Sequence, residues 1–154
     1  MALPTEANTQ LAHDFHDSSI YGFELVQPVP ELGKWESKIK LDIDYIQEWV
    51  KCADSFKFLV SKAELCFENV SDLKVSFSFP ETTITSLPID RIERSKQPAL
   101  QRSPDYTEFG WKILLNDRSD GFLELRATGY HLIFFGEPIL CEDQYIPLTM
   151  RSDM

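Results

Sequence analysis

KIKLDIDYIQEW, residues 38–49, decides the fold. Ile39, Leu41, Ile43 and Tyr45 fall on one side of an extended chain and Lys38, Lys40, Asp42 and Asp44 on the other, which is the period of two of a half-buried strand. Asp42 and Asp44 are therefore expected in solvent. Lysines on the same face compensate their charge, since opposite charges on one sheet face are mildly stabilising.

The same reading extends in both directions. Residues 20–26 are β-branched, aromatic or aliphatic around Gly22, which predicts a first strand with a bulge at the glycine. The prolines of PVPELG, residues 28–33, make that stretch a loop. After Trp49, VKCADSF reads as a turn. Ala63, Leu65 and Phe67 then alternate with Lys62, Glu64 and Cys66, and Leu73, Val75, Phe77 and Phe79 with Lys74, Ser76 and Ser78. The turn-forming side chains of residues 69–72 between them predict a hairpin. Pro88 assigns residues 81–95 to an edge strand, or splits them. Pro98 and Pro104 make residues 95–106 a mobile loop. NDRSDG, residues 116–121, joins two further alternating runs as a second hairpin. YHLIFF, residues 130–135, is apolar on both sides, as in a central strand or one beneath a helix or a dimer contact. Residues 142–148 suit a short helical turn.

Short strands separated by turn signals predict a mostly β fold: an antiparallel sandwich, roll or partly open barrel with at most one or two short helices. The alternative is α+β, with a helix near residues 46–51 or at the C-terminus. Length and composition fit one domain over residues 1–154, with residues 1–10 frayed.

The charge balance is 15 Lys plus Arg against 25 Asp plus Glu, a net charge of -10. Such a field repels nucleic acid and anionic membranes and attracts a cationic protein. The most basic stretch, with Arg91, Arg94, Lys96 and Arg102, is diluted by Asp90 and Glu93. Cys52, Cys66 and Cys141 form neither a CxxC pair nor an even disulfide set, which points to free thiols. The first ten residues have no basic and apolar signal pattern, and no apolar run matches the thickness of a bilayer, so a cytoplasmic location is expected. Glycine-rich phosphate loops are missing from the sequence, and no cofactor is expected.

Four groups of residues could carry chemistry. In HDFHD, His13, His16 and Asp17 would hold a metal only if a local turn gathered them and Glu24, Asp42 or Asp44 supplied a further ligand; the plainer role is to satisfy backbone donors at a turn. His131 could serve as a general base if a carboxylate oriented it, but no GxSxG elbow is present and Cys66 and Cys141 sit in no catalytic motif. The Asp42 and Asp44 pair matches a cation site and a solvated strand face equally well. Aromatic residues fill cores and interfaces alike, so exposure of Trp35 or Phe109, both placed in loops, would favour a binding surface.

FHDSSIYGFEL, KIKLDIDY and FENVSDLKVSF, taken in order over the first half of the chain, resemble a pattern in small, poorly characterised bacterial β-sheet proteins. Some of these are described as immunity proteins of toxin systems. The resemblance implies a bacterial, cytoplasmic, non-enzymatic domain in which His16 and Asp17 mark a strand start, and it assigns no catalytic residue. The expectation is an acidic interaction protein of the immunity type that neutralises a cationic partner through Trp35, Phe109, Asp42 and Asp44, and that can pair as a homodimer. The alternatives are a barrel or roll binding a small apolar ligand, and a metal-dependent hydrolase using HDFHD.

Overall fold

Ile39, Leu41 and Ile43 are fully buried in a strand that runs on to Cys52, so the alternation of the founding stretch places its apolar side inward. The computed structural model describes residues 15–77, 87–116, 121–147 and 150. In chain order the strands are β1 (Ser19–Val26), β2 (Lys38–Cys52), β3 (Ser55–Glu68), β4 (Ser71–Ser76), β5 (Leu87–Arg94), β6 (Leu100–Ser103), β7 (Tyr106–Leu115), β8 (Phe122–Ala127) and β9 (Gly129–Cys141). They form one antiparallel sheet in the order β4-β8-β7-β5-β1-β2-β3-β9, with β6 added to β7. The sheet does not close, and the chain is mostly β. Residues 30–32 form a short 3-10 turn.

The sheet folds over on itself. A flat sheet would hold β3 and β7, four places apart in the order, roughly 19 Å from each other. Instead the rings of Phe67 on β3 and Trp111 on β7 lie 5.4 Å apart, and Trp111 meets Tyr130 of β9 at 5.7 Å. One layer is β1-β2-β3-β9 and the other β5-β7-β8-β4. Ile39, Leu41, Leu65, Ile92, Ile113, Leu123 and Leu125 fill the space between them. Along one side the layers meet at a seam where β1 pairs with β5 only at Ser19 and Ile20. Along the other, two stretches of chain cross between layers side by side. Asn69, at a φ of 54°, turns β3 into β4, and Thr128 turns β8 into β9. The Asn69 amide donates to the Thr128 hydroxyl at 2.9 Å, and the Thr128 N–H donates to the Glu68 carbonyl at 3.0 Å.

The predicted bulge at Gly22 is present, as a register shift between Ile20 and Gly22. The β7–β8 hairpin is present as well. Other expectations need correction. β3 and β4 are not a hairpin, because β2 and β9 occupy both flanks of β3 while β4 pairs with β8 in the other layer. Residues 46–51 are strand, and residues 142–147 carry bends without a helix. The stretch 95–106 is no plain loop: Leu100 and Gln101 pair with Glu108 and Thr107 in a β6–β7 hairpin. Pro88 lies in β5, with β1 on one side and β7 on the other. Its missing donor is tolerated where the β1 ladder is only beginning, and its carbonyl still accepts from Asn116 N–H at 2.8 Å. YHLIFF belongs to β9, which ends the strand order and is not central. Residues 1–10 lie outside the described residues.

Candidate interaction surface

Trp35 is 73% exposed, and Leu32 beside it on the same loop is 70% exposed. The loop is closed by its own backbone. Val29 N–H donates to the Lys34 carbonyl at 2.7 Å, Lys34 N–H returns a bond to Val29 at 3.1 Å, and Gly33 N–H donates to the Pro30 carbonyl at 3.0 Å. Gly33 supplies the left-handed step at φ 72°, a conformation open to glycine at little steric cost. Leu32 is thus presented to solvent inside a hydrogen-bonded turn, with Trp35 one residue past its closure, an arrangement that lowers the entropy cost of binding.

Grooves flank Trp35 on both sides. One, of about 360 Å³, runs between Trp35, Asn69, Asp72, Arg102, Tyr106 and Glu108. Glu108 is only 3% exposed at its base. It accepts from the Ser71 hydroxyl at 3.3 Å, and its other oxygen lies 4.0 Å from the Arg126 guanidinium. Arg126 also donates to Asp72 at 3.1 Å, and the Arg102 guanidinium sits 5.4 Å from the Tyr106 ring centre. The other groove, of about 490 Å³, includes Lys34, Lys38 and Lys40 with Glu36. Lys38 lies 3.8 Å from Glu36 and Lys40 3.5 Å from Glu64, so much of that positive charge is paired.

The remaining predicted residues separate. Phe109 is not in a loop; it lies in β7, 6% exposed, with the Arg94 guanidinium 4.0 Å above its ring. Burial lowers the Arg94 pKa below its ordinary value. Asp42 is exposed as expected, opposite Gly22. Asp44 is fully buried, although its side chain is on the outer face, because the segment after β9 crosses over it and Ile146 N–H donates to its carboxylate at 2.9 Å. The sequence places the face correctly but does not reveal what covers it.

His16 and Asp17 of HDFHD act as a clasp. His13 lies outside the described residues. The His16 imidazole bonds the Asp90 carbonyl at 2.8 Å, and Asp17 accepts from the Gln144 amide at 3.1 Å while its own N–H donates to the Ile89 carbonyl at 2.8 Å. Among the described residues no group of three His, Cys, Asp or Glu side chains could hold a metal ion. Within the basic stretch Arg91 is paired: it bonds Glu93 at 2.6 Å and Asp90 at 2.7 Å, and Glu93 foremost raises its pKa.

The structure brings together residues that the sequence named without placing them side by side. Cys66 on β3 stands directly opposite His131 on β9, whose Nδ1 is 3.1 Å from a Glu68 oxygen. Thiol, imidazole and carboxylate in that order resemble a nucleophile with an oriented base. Burial, however, pushes the Cys66 thiol up, and nucleophilic cysteines need the opposite shift. Maleimide or iodoacetamide at neutral pH is accordingly expected to modify the half-buried Cys52 first, and Cys66 and Cys141 only after denaturation, read by mass spectrometry. The raised value also means that the unfolded chain releases this proton first. Stability from Cys66 is therefore retained below the ordinary thiol pKa of 9.0 and falls as pH rises above it.

Among the described residues no helix is long and apolar enough to cross a membrane. No family model matches the chain, and no curated protein or solved structure does either.

Proposed function

We propose that this protein is a non-catalytic interaction domain that binds another protein through the Trp35 loop, with neutralisation of a basic partner, as immunity-type proteins do, as its concrete form. The observation that carries this reading is the exposure of Trp35, which lines two grooves, and of Leu32 in the backbone-closed turn just before it. Tryptophan anchors of this kind dominate the binding energy of many interfaces. The net charge of -10 supplies long-range attraction for a basic protein and speeds the encounter. Close to Trp35 the charges are mixed, so the field steers while the apolar anchor and the groove beside Glu108 and Asp72 select. The space between the layers, which an apolar ligand would need, is filled by Phe67, Trp111 and Tyr130.

The test is affinity capture from the source cell with the wild-type chain, Trp35→Ala and Leu32→Asp, each first shown to unfold at the wild-type midpoint. A basic partner retained by the wild type should be lost from both variants, with affinity falling by roughly a hundredfold or more. Binding should also weaken as salt rises from roughly 50 to roughly 300 mM. Equal capture by all three proteins overturns the reading.

A further inference from the structure

The groove that runs from Trp35 to Glu108 ends on a carboxylate taken out of water: the Glu108 side chain is 4% exposed. One of its oxygens accepts from the Ser71 hydroxyl at 3.3 Å, long for a hydroxyl bonded to a carboxylate. The other accepts no hydrogen bond among the described residues. Arg126 stands 4.0 Å from it, beyond bonding reach, and donates instead to Asp72 at 3.1 Å. An ionised carboxylate accepts from several donors at once, and burying one without them is costly. The neighbouring donors are used within the fold. The Ser37 hydroxyl donates to the Val70 carbonyl at 2.6 Å, the Asn69 amide to Thr128 at 2.9 Å, and Ser71 to Glu108 itself. Two aromatic side chains, Trp35 and Tyr106, line the same groove. The Tyr106 ring already carries a guanidinium, that of the exposed Arg102 at 5.4 Å, which meets no carboxylate among the described residues.

We infer that this groove receives an arginine side chain of the partner, its guanidinium on the open oxygen of Glu108 and its plane against Trp35 and Tyr106; the inference rests on the reading of the Trp35 loop as the interaction site. A guanidinium is a fork of N–H donors with no acceptor, and it stacks on aromatic faces, so it supplies what Glu108 lacks and uses the rings beside it. A lysine ammonium brings fewer donors and a strongly hydrated point charge, and it gains less from the aromatic walls. An anion would find Arg102 but would have to lie against the carboxylates of Glu108 and Asp72, and like charges brought together at an interface are costly. Arg102 is then a resident competitor: it rests on the ring face that the entering group uses and adds a positive charge at the same place. The net charge of -10 draws the arginine of a basic partner toward the molecule as a whole.

Heteronuclear NMR of the full chain tests the proposal, with Nα-acetyl-arginine amide as the probe, added to roughly 50 mM at constant ionic strength. The indole N–H signal of Trp35, identified by its loss in Trp35→Phe, should shift saturably with a dissociation constant of roughly 1–20 mM. Nα-acetyl-lysine amide should bind roughly threefold more weakly or worse, and the uncharged citrulline analogue should leave the signal in place. Glu108→Gln should weaken the arginine probe by roughly tenfold. Tyr106→Ala, which spares the carboxylate, should also weaken it and serves should the glutamine variant fold poorly. Arg102→Gln should tighten it, because the competing cation is gone. The proposal is overturned by a Trp35 signal that does not saturate with the arginine probe, or by equal shifts from the citrulline analogue. It is equally overturned by binding of Nα-acetyl-glutamate amide that Arg102→Gln abolishes, which would assign the groove to an anion. Partner capture separates this failure from that of the wider reading: a basic partner lost from Trp35→Ala but held at wild-type affinity by Glu108→Gln keeps the Trp35 surface and removes the arginine from the groove.

Discussion

Trp111→Ala is expected to lower the unfolding free energy by about 3–5 kcal/mol. The indole is 1% exposed and meets Phe67 and Tyr130 of the opposite layer edge to face, while its Nε1 donates to the Ala127 carbonyl at 3.1 Å. Three losses coincide on truncation: transferred area, a cavity that the surrounding strands cannot fill, and a buried carbonyl left without its donor. Domains of this size are stable by only about 5–15 kcal/mol, so a large part of the total would go. Urea denaturation followed by far-UV circular dichroism measures it. Trp111→Phe keeps a ring against Phe67 and gives up the indole hydrogen bond, and should retain more than half of the lost stability. A fall below about 1 kcal/mol for the alanine variant would mean that the two layers do not depend on this ring for their contact.

Asp44→Ala should cost about 2–3 kcal/mol, a large effect for a residue that the sequence assigns to solvent. The carboxylate is fully buried and accepts from Ile146 N–H at 2.9 Å. Without it that amide is left buried and unsatisfied, and Ile146, itself 1% exposed in the small cluster of Ile46, Phe58, Val60 and Cys141, loses the bond that fixes its backbone. The damage should be local first. Limited proteolysis is expected to cut around residues 142–147 faster than in the wild type, before the sheet unfolds. Asp44→Asn retains an oxygen that can accept the same N–H and should recover most of the difference. Equal proteolysis of both variants and the wild type would show that the segment is held elsewhere.

The contrast between Trp111 and Asp44 shows how far alternation reaches. Trp111, Ile113 and Leu115 alternate with Lys112 and Asn116, though not at Leu114, and the side of the strand on which they lie is inward. Asp44 obeys the same rule in direction, pointing outward with Lys38, Lys40 and Asp42, yet it is buried. Alternation reports the face of a sheet; it carries no information about a later segment that crosses that face. Phe109 has the same lesson with the opposite sign: Pro98 and Pro104 nearby made a loop plausible, but the β6–β7 hairpin takes Phe109 into the sheet under Arg94. YHLIFF was readable as apolar on both faces and unreadable as an edge, because two-faced burial and a two-faced contact with another molecule leave the same pattern.

The candidate surface was partly legible. Trp35 stood out as a large aromatic residue in a loop rich in proline and glycine, and Leu32 carried the same signal, an apolar residue inside PELGK, without being singled out. Glu108, Tyr106 and Arg102, which build the groove beside Trp35, gave no such signal, since they come from strands more than sixty residues farther along the chain.

What the amino-acid order determines alone is the strand character, most strand positions, the bulge at Gly22 and the inward set of Ile39, Leu41, Ile43 and Trp111, because steric alternation and the desolvation of apolar side chains act locally along an extended chain. What only the tertiary structure decides is which strands are neighbours, which of them ends the sheet, and which outward residues are covered. Those depend on loop closure and on contacts between distant segments: β3 turns into β4 at Asn69 because both flanks of β3 are already taken, and Asp44 is dry because Ile146 reaches it from 102 residues away.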